Sequence, residues 1–120
     1  MFGFFQSTGP SLAYDPQRAI SDAMAGHITL IDIREPAEVK ATGKAKGALH
    51  VPLAALRMKA DPASPEQLPE FRAGKAVVLY CASGSRSQMA VRMLRQMGLE
   101  EVYNLGGLAD WQMAGGAVGH

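Results

Sequence analysis

The sequence predicts an α/β fold, a mainly parallel central sheet with helices on both faces. Three observations carry that reading. Short apolar runs of strand length, at 27–33, 48–51, 76–80 and 101–105, alternate with segments of helical periodicity. The stretch AVVLYCASGSRSQMAVRMLRQMG, from Ala76 to Gly98, reads as a buried strand, a small-residue loop and a helix. Finally, Asp32 and Cys81 both fall at the carboxyl end of a strand, where sheets of this kind form their binding crevice.

Taken in order, Asp15-Pro16 suits a helix N-cap followed by proline at the first helical position. Ile20, Ala23 and Met24 then make an apolar stripe that ends at Gly26. His27 to Ile33, HITLIDI, is a strand. Glu35 to Val39 suits a short helix, with proline early and carboxylates in its first turns, before Thr42-Gly43 breaks it. Ala48 to Val51 is a further short strand, stopped by Pro52, and Leu53 to Met58 supports a turn or two of helix. Asp61 to Pro65 is a loop, and Pro69 limits any helix across Glu66 to Phe71.

In the central unit Ala76 to Tyr80 is apolar, β-branched and aromatic, and Cys81 ends it. Ala90, Met93, Leu94 and Met97 recur at helical spacing while Gln88, Arg92, Arg95 and Gln96 face away, with Gly98 as the C′ residue. The series Met89, Met93 and Met97 is expected to pack into the core. Glu101 to Leu105 is a third clear strand, Gly106-Gly107 is expected to turn the chain, and Leu108 to Met113 makes a last short helix. Its Trp111 is expected at the edge of the core.

A chain of 120 residues with 48% hydrophobic content and a formal net charge of +1 is one ordinary globular domain. We assign that domain to residues 12–118 and treat 1–11 as an N-terminal extension. The charge excludes the basic surplus of a nucleic-acid binder. MFGFFQSTGP is apolar for only five residues and has no Lys or Arg before Arg18, so neither a signal peptide nor a membrane span is expected. Phe2, Phe4 and Phe5 are expected to cover some apolar surface. A single cysteine excludes an intrachain disulfide and a cysteine-based zinc cluster and points to a reducing, cytoplasmic location. His27 and His50 read as strand residues and His120 as the terminus, so neither metal nor cofactor is expected.

The chemistry concentrates at Cys81. The small side chains of Ala82, Ser83, Gly84, Ser85 and Ser87 leave backbone N–H groups exposed, and the following helix adds the positive end of its dipole. The thiolate is the nucleophilic form, and a free cysteine with a pKa of about 8.5 is mostly protonated at neutral pH. Converging amides favour the anion and make a histidine base unnecessary. Ser83, Ser85 and Ser87 read as loop formers, since no His/Asp pattern accompanies them. Asp32 is expected to accept N–H bonds and Arg34 to pair with a carboxylate, both supporting the site structurally.

Four stretches in register resemble the rhodanese family of sulfurtransferases: LIDIREP from Leu30 to Pro36, GALHVP from Gly47 to Pro52, CASGSRS from Cys81 to Ser87, and Gly106-Gly107 with Trp111 and Gly115. The departure is Gly43-Lys44-Ala45-Lys46-Gly47, where the family usually has histidine and an apolar residue after the first glycine. The resemblance implies a thiosulfate sulfurtransferase of the small single-domain type, with Cys81 catalytic and residues 82–87 binding the substrate sulfur. Cys81 would take sulfane sulfur from a small anion such as thiosulfate, hold it as a persulfide, and pass it to cyanide, a thiol or a protein acceptor. Arg86 would hold the donor's oxygens. A monomer or weak dimer is expected. The alternatives are a non-enzymatic persulfide relay and a cysteine phosphatase or arsenate reductase. Phosphatases of this fold have five residues between cysteine and arginine, whereas Cys81 and Arg86 are separated by four.

Overall fold

The computed structural model describes residues 12–120; the extension, with Phe2, Phe4 and Phe5, lies outside the described residues. The strands are β1 (Ile28–Asp32), β2 (Lys44–Ala45), β3 (Leu49–His50), β4 (Ala76–Cys81), β5 (Val102–Gly107) and β6 (Val118–Gly119). The helices are α1 (Pro16–Met24), α2 (Pro36–Thr42), α3 (Leu53–Ala60), α4 (Ser85–Gln96) and α5 (Leu108–Met113), with a single 3-10 turn at Pro69–Arg72. The main sheet has the order β3-β1-β4-β5 and every pairing in it is parallel.

β4 lies between two partners with both faces covered, which is why its sequence is an unbroken apolar run. Alternate residues enter opposite layers. Val77, Leu79 and Cys81 pack with Ile31, Ile33, Leu56, Val91 and Leu94 on the α3 and α4 side. Val78 and Tyr80 pack with Leu30, Ala19, Leu105 and Trp111 on the α1 and α5 side.

The helix ends follow local chemistry. Asp15 caps α1 by accepting the Arg18 N–H at 2.9 Å, and Pro16 follows it as the sequence predicts. At the far end of α4, Gly98 sits at φ 102° and the Leu99 N–H returns to the Leu94 carbonyl at 3.1 Å, the bond that closes a Schellman turn.

Four expectations need correction. Gly106-Gly107 does not turn the chain: both residues continue β5, pairing with Tyr80 and Cys81 after a register shift. Met89 is not a core residue, being 66% exposed; Val91 is fully buried instead, while Met93 and Met97 pack partly against the core. His27 is exposed and precedes β1, and only His50 lies in a strand. Trp111 is inside rather than at an edge, 2% exposed, with its indole N–H on the Ala117 carbonyl at 2.8 Å.

The antiparallel pair β2-β6 was not legible, because two-residue strands have no periodicity to read. Gly43 explains where it forms. Its φ is 78°, and a Cβ there would lie 2.7 Å from the Gly119 carbonyl oxygen, so only glycine brings the two segments together.

Tyr80 ties these layers to each other. Its hydroxyl donates to Asp32 Oδ2 at 2.6 Å and accepts the buried Ala45 N–H at 2.8 Å, joining β4, β1 and β2. Tyr80→Phe leaves that amide unpaired and should cost about 1–3 kcal/mol. Urea unfolding should show a lower midpoint with an unchanged slope; an unchanged midpoint would contradict this role.

Candidate active site

The loop after β4 is shaped by Gly84 within it and Gly107 beneath it. Gly84 adopts φ 103° as the N-cap of α4, and a Cβ on it would lie 3.2 Å from Gly106 Cα. Gly107 has ordinary extended backbone, yet a Cβ there would lie 2.2 Å from the Ala82 carbonyl oxygen. Glycine at 107 is therefore required for room, not for conformation. The loop settles onto the end of β5 and brings the start of α4 over Cys81.

The sulfur meets donors there. The Gly84 N–H reaches Cys81 Sγ at 3.0 Å and the Ser87 hydroxyl lies 3.3 Å from it. Burial pushes the thiol pKa up, but the Ser87 hydroxyl and the amides of Ser87, Gly84 and Ser83 outweigh it, so the net shift is below the ordinary cysteine value. The thiolate therefore persists to lower pH than in a free thiol. Cys81 itself has no exposed area. A donor reaches it only if the covering groups yield.

Ser87 does more than form the loop. It is fully buried, and besides facing the sulfur it donates to Asn104 Oδ1 at 2.7 Å. Asn104, on β5, also accepts the Gly106 N–H at 2.9 Å and donates to the Gly84 carbonyl at 3.1 Å and to Gln88 Oε1 at 3.0 Å. Ser83 and Ser85 are exposed, with hydroxyls 3.3 Å apart. Ala82 is exposed beside them.

Arg86 has a partner that the sequence does not show. Its guanidinium forms a two-bond fork with Glu38 on α2, at 2.8 and 2.9 Å. That fork, with the Glu35 N–H that Glu38 also accepts at 2.9 Å, lowers the Glu38 carboxyl to about 2. Glu38 in turn favours the charged form of Arg86, and the nearby Cys81 sulfur adds to the effect. The pair presents compensated charge beside the sulfur.

Asp32 and Arg34 form a buried ion pair. Buried Asp32 accepts the Arg34 backbone N–H at 2.9 Å, the guanidinium at 2.8 Å and the Tyr80 hydroxyl. Arg34 continues to Thr42 Oγ1 at 2.9 Å and to the Gly43 carbonyl at 2.7 Å, so it pins the C-terminal end of α2. Their contribution to the site is indirect: they hold the helix that carries Glu38.

Glu38 and Asn104 are the two site residues that sequence reasoning missed. Glu38 reads as an ordinary first-turn carboxylate, and nothing local marks it as the partner of a residue 48 positions away. For Asn104 a signal existed, since a lone amide inside an apolar strand calls for buried partners. A cavity of about 440 Å³ lined by Ile20, Ala23, Met24, Lys46, Trp111 and Ala117 includes no residue of the Cys81 loop. Among the described residues no cluster of His, Cys, Asp or Glu suits a metal ion, and no helix is long and apolar enough to cross a membrane.

Residues 15–114 match the family model described as a rhodanese-like domain. The chain belongs to the rhodanese-like family. This rhodanese-like chain is 37% identical over 89 residues to a sulfurtransferase of Allochromatium vinosum, covering 73% of this chain and 75% of that protein. It is 31% identical over 83 residues to the Escherichia coli thiosulfate sulfurtransferase PspE, covering 69% and 73%. An uncharacterized Bacillus subtilis protein, YqhL, is 40% identical over 83 residues, which are 68% of this chain but only 59% of that longer relative. Among solved structures, a Rhodopseudomonas palustris protein described as a possible tyrosine phosphatase aligns with a TM-score of 0.78 and 34% identity, covering 91% of this chain and 83% of its own.

The packing of the loop on β5 gives a direct test. Gly107→Ala should push the 82–83 peptide outward, cost about 1–3 kcal/mol through overpacking, and slow alkylation of Cys81 by iodoacetamide at pH 7 several-fold. Native stability and native alkylation in that variant would show that the loop does not depend on the glycine.

Proposed function

We propose that this protein is a sulfurtransferase of the thiosulfate type that carries sulfane sulfur on Cys81. The observation that supports it most is the sulfur resting on the Gly84 N–H at the start of α4, with Ser87 as a second donor. The sulfurtransferase names of two similar proteins support the same reading.

In the first step the Cys81 thiolate attacks the outer sulfur of thiosulfate. A new S–S bond forms as the donor's S–S bond breaks, and sulfite leaves with the bonding pair. The persulfide keeps one negative charge, displaced one bond outward toward the amides of residues 82–87. In the second step cyanide or a thiolate attacks the outer sulfur and Cys81 departs as thiolate. No proton has to be delivered to either leaving group, in keeping with a site that has no histidine base. A free thiol at position 81 suits a reducing compartment such as the cytoplasm.

The phosphatase reading fits less well. Four residues between Cys81 and Arg86 enclose a small ring, and the arginine is already bonded to Glu38. A persulfide relay between proteins would use the same chemistry with a protein donor, and would show rapid charging by such a donor but slow thiosulfate turnover.

Intact mass spectrometry after incubation with thiosulfate should show one added sulfur atom, lost in Cys81→Ser. A protein that stays uncharged while hydrolysing an aryl phosphate through Cys81 would overturn the proposal. Glu38→Gln should release Arg86 from its carboxylate and lower the KM for dianionic thiosulfate by roughly three- to tenfold at low salt. An unchanged KM would mean that Arg86 does not meet the donor.

A further inference from the structure

The Ser87 hydroxyl has one proton and four acceptors around it. Asn104 Oδ1 is at 2.7 Å, the Gly84 carbonyl at 3.2 Å, Cys81 Sγ at 3.3 Å and the Gly106 carbonyl at 3.4 Å. The orientation of the Asn104 amide is fixed by its neighbours. Its oxygen takes the Gly106 N–H and its nitrogen gives to the Gly84 carbonyl, so a flipped amide would set donor against donor and acceptor against acceptor. The amide oxygen therefore always faces Ser87, and it competes with the sulfur for the same proton.

We propose that Asn104 is a positioning residue that acts through Ser87, holding its O–H when Sγ is neutral and releasing it to Sγ when Sγ is anionic. The proton stays on Ser87 Oγ throughout; only the direction of the O–H bond changes. A neutral sulfur is a weak acceptor and loses to the amide oxygen, whereas a thiolate makes a charge-assisted bond and wins. The proposal rests on the sulfur-carrier reading for its use. When Cys81 is an unloaded thiolate the charge is on Sγ and the hydroxyl points there. In the persulfide the charge has moved to the outer sulfur, Sγ is neutral, and the hydroxyl returns to Asn104. Without Asn104 the O–H would lose its best partner in the persulfide state.

The charged groups around this end of the sheet are few. α4 supplies Arg86, paired with Glu38 of α2. β1 supplies Asp32, engaged by Arg34 and Tyr80, and α5 supplies Asp110, bonded to the Gly107 N–H at 2.7 Å. None of them is altered by changing Ser87 or Asn104.

The test is a double-mutant cycle read by the pH dependence of iodoacetamide alkylation of Cys81. Ser87→Ala should raise the alkylation midpoint by about one pH unit, because the thiolate loses a donor. Asn104→Ala should lower it by about half a unit, because the competitor is gone. The double variant should match Ser87→Ala, as it must if Asn104 reaches the sulfur through that hydroxyl and not through its bond to the Gly84 carbonyl. A midpoint that Asn104→Ala leaves unchanged or raises, or a shift that persists in the Ser87→Ala background, overturns the proposal.

If Asn104→Ala does not fold, the native protein supplies the readout. The Asn104 side-chain amide resonances should titrate with the Cys81 midpoint, shift back toward their low-pH positions on sulfur loading at fixed pH, and move several-fold less with pH in Ser87→Ala. Resonances that ignore the Cys81 midpoint overturn it equally. Failure to load sulfur would count against the sulfur-carrier reading alone, because the alkylation cycle and the pH titration need no sulfur donor.

Discussion

A buried sulfur bears negative charge only where donors replace the water it has lost, and in this chain that replacement is mostly backbone. The Gly84 N–H and the first turn of α4 reach Cys81 because β4 delivers the residue to the end of a covered parallel sheet and the chain turns at once into a helix. Backbone amides are fixed in place by the fold that makes them. The site's charge preference is therefore a property of the loop's path, and the side chains around it adjust that preference.

The loop's path depends in turn on contacts far apart in sequence. From below, Gly107 leaves room for the Ala82 carbonyl, and within the loop Gly84 lies close against Gly106 of β5. From the side, Glu38 grips Arg86 in the first turn of α4. Glu38 is where it is because Arg34, neutralised by buried Asp32, pins the end of α2. A buried ion pair is a poor source of net stability, since desolvation offsets most of its attraction. Its value here is geometric: Asp32, Arg34, Tyr80 and Thr42 fix one helix relative to two strands, with the donors and acceptors matched.

The strands, the helices and the nucleophile were legible because each has a local cause. β4 is a continuous apolar run, α1 has its Asp-Pro start, and Cys81 stands at a strand end before small residues. The readings that failed concern residues whose role is set by distant partners. Gly106-Gly107 looks like a turn until Ala82 is seen above it. Met89 follows the spacing of a core residue on a helix whose buried face is narrower than the methionine series suggests. Ser87 and Asn104 belong to the same class: the pair is 17 residues apart in sequence and 2.7 Å apart in space.

The most direct measurement is the ionisation of Cys81 in the folded chain compared with the urea-unfolded chain, read as thiolate absorbance against pH with Cys81→Ser subtracted to remove the tyrosines. Donors that outweigh burial place the folded midpoint below the unfolded one. A folded midpoint equal to or above the unfolded value would mean that the sulfur is merely buried, and the account of the site would be wrong.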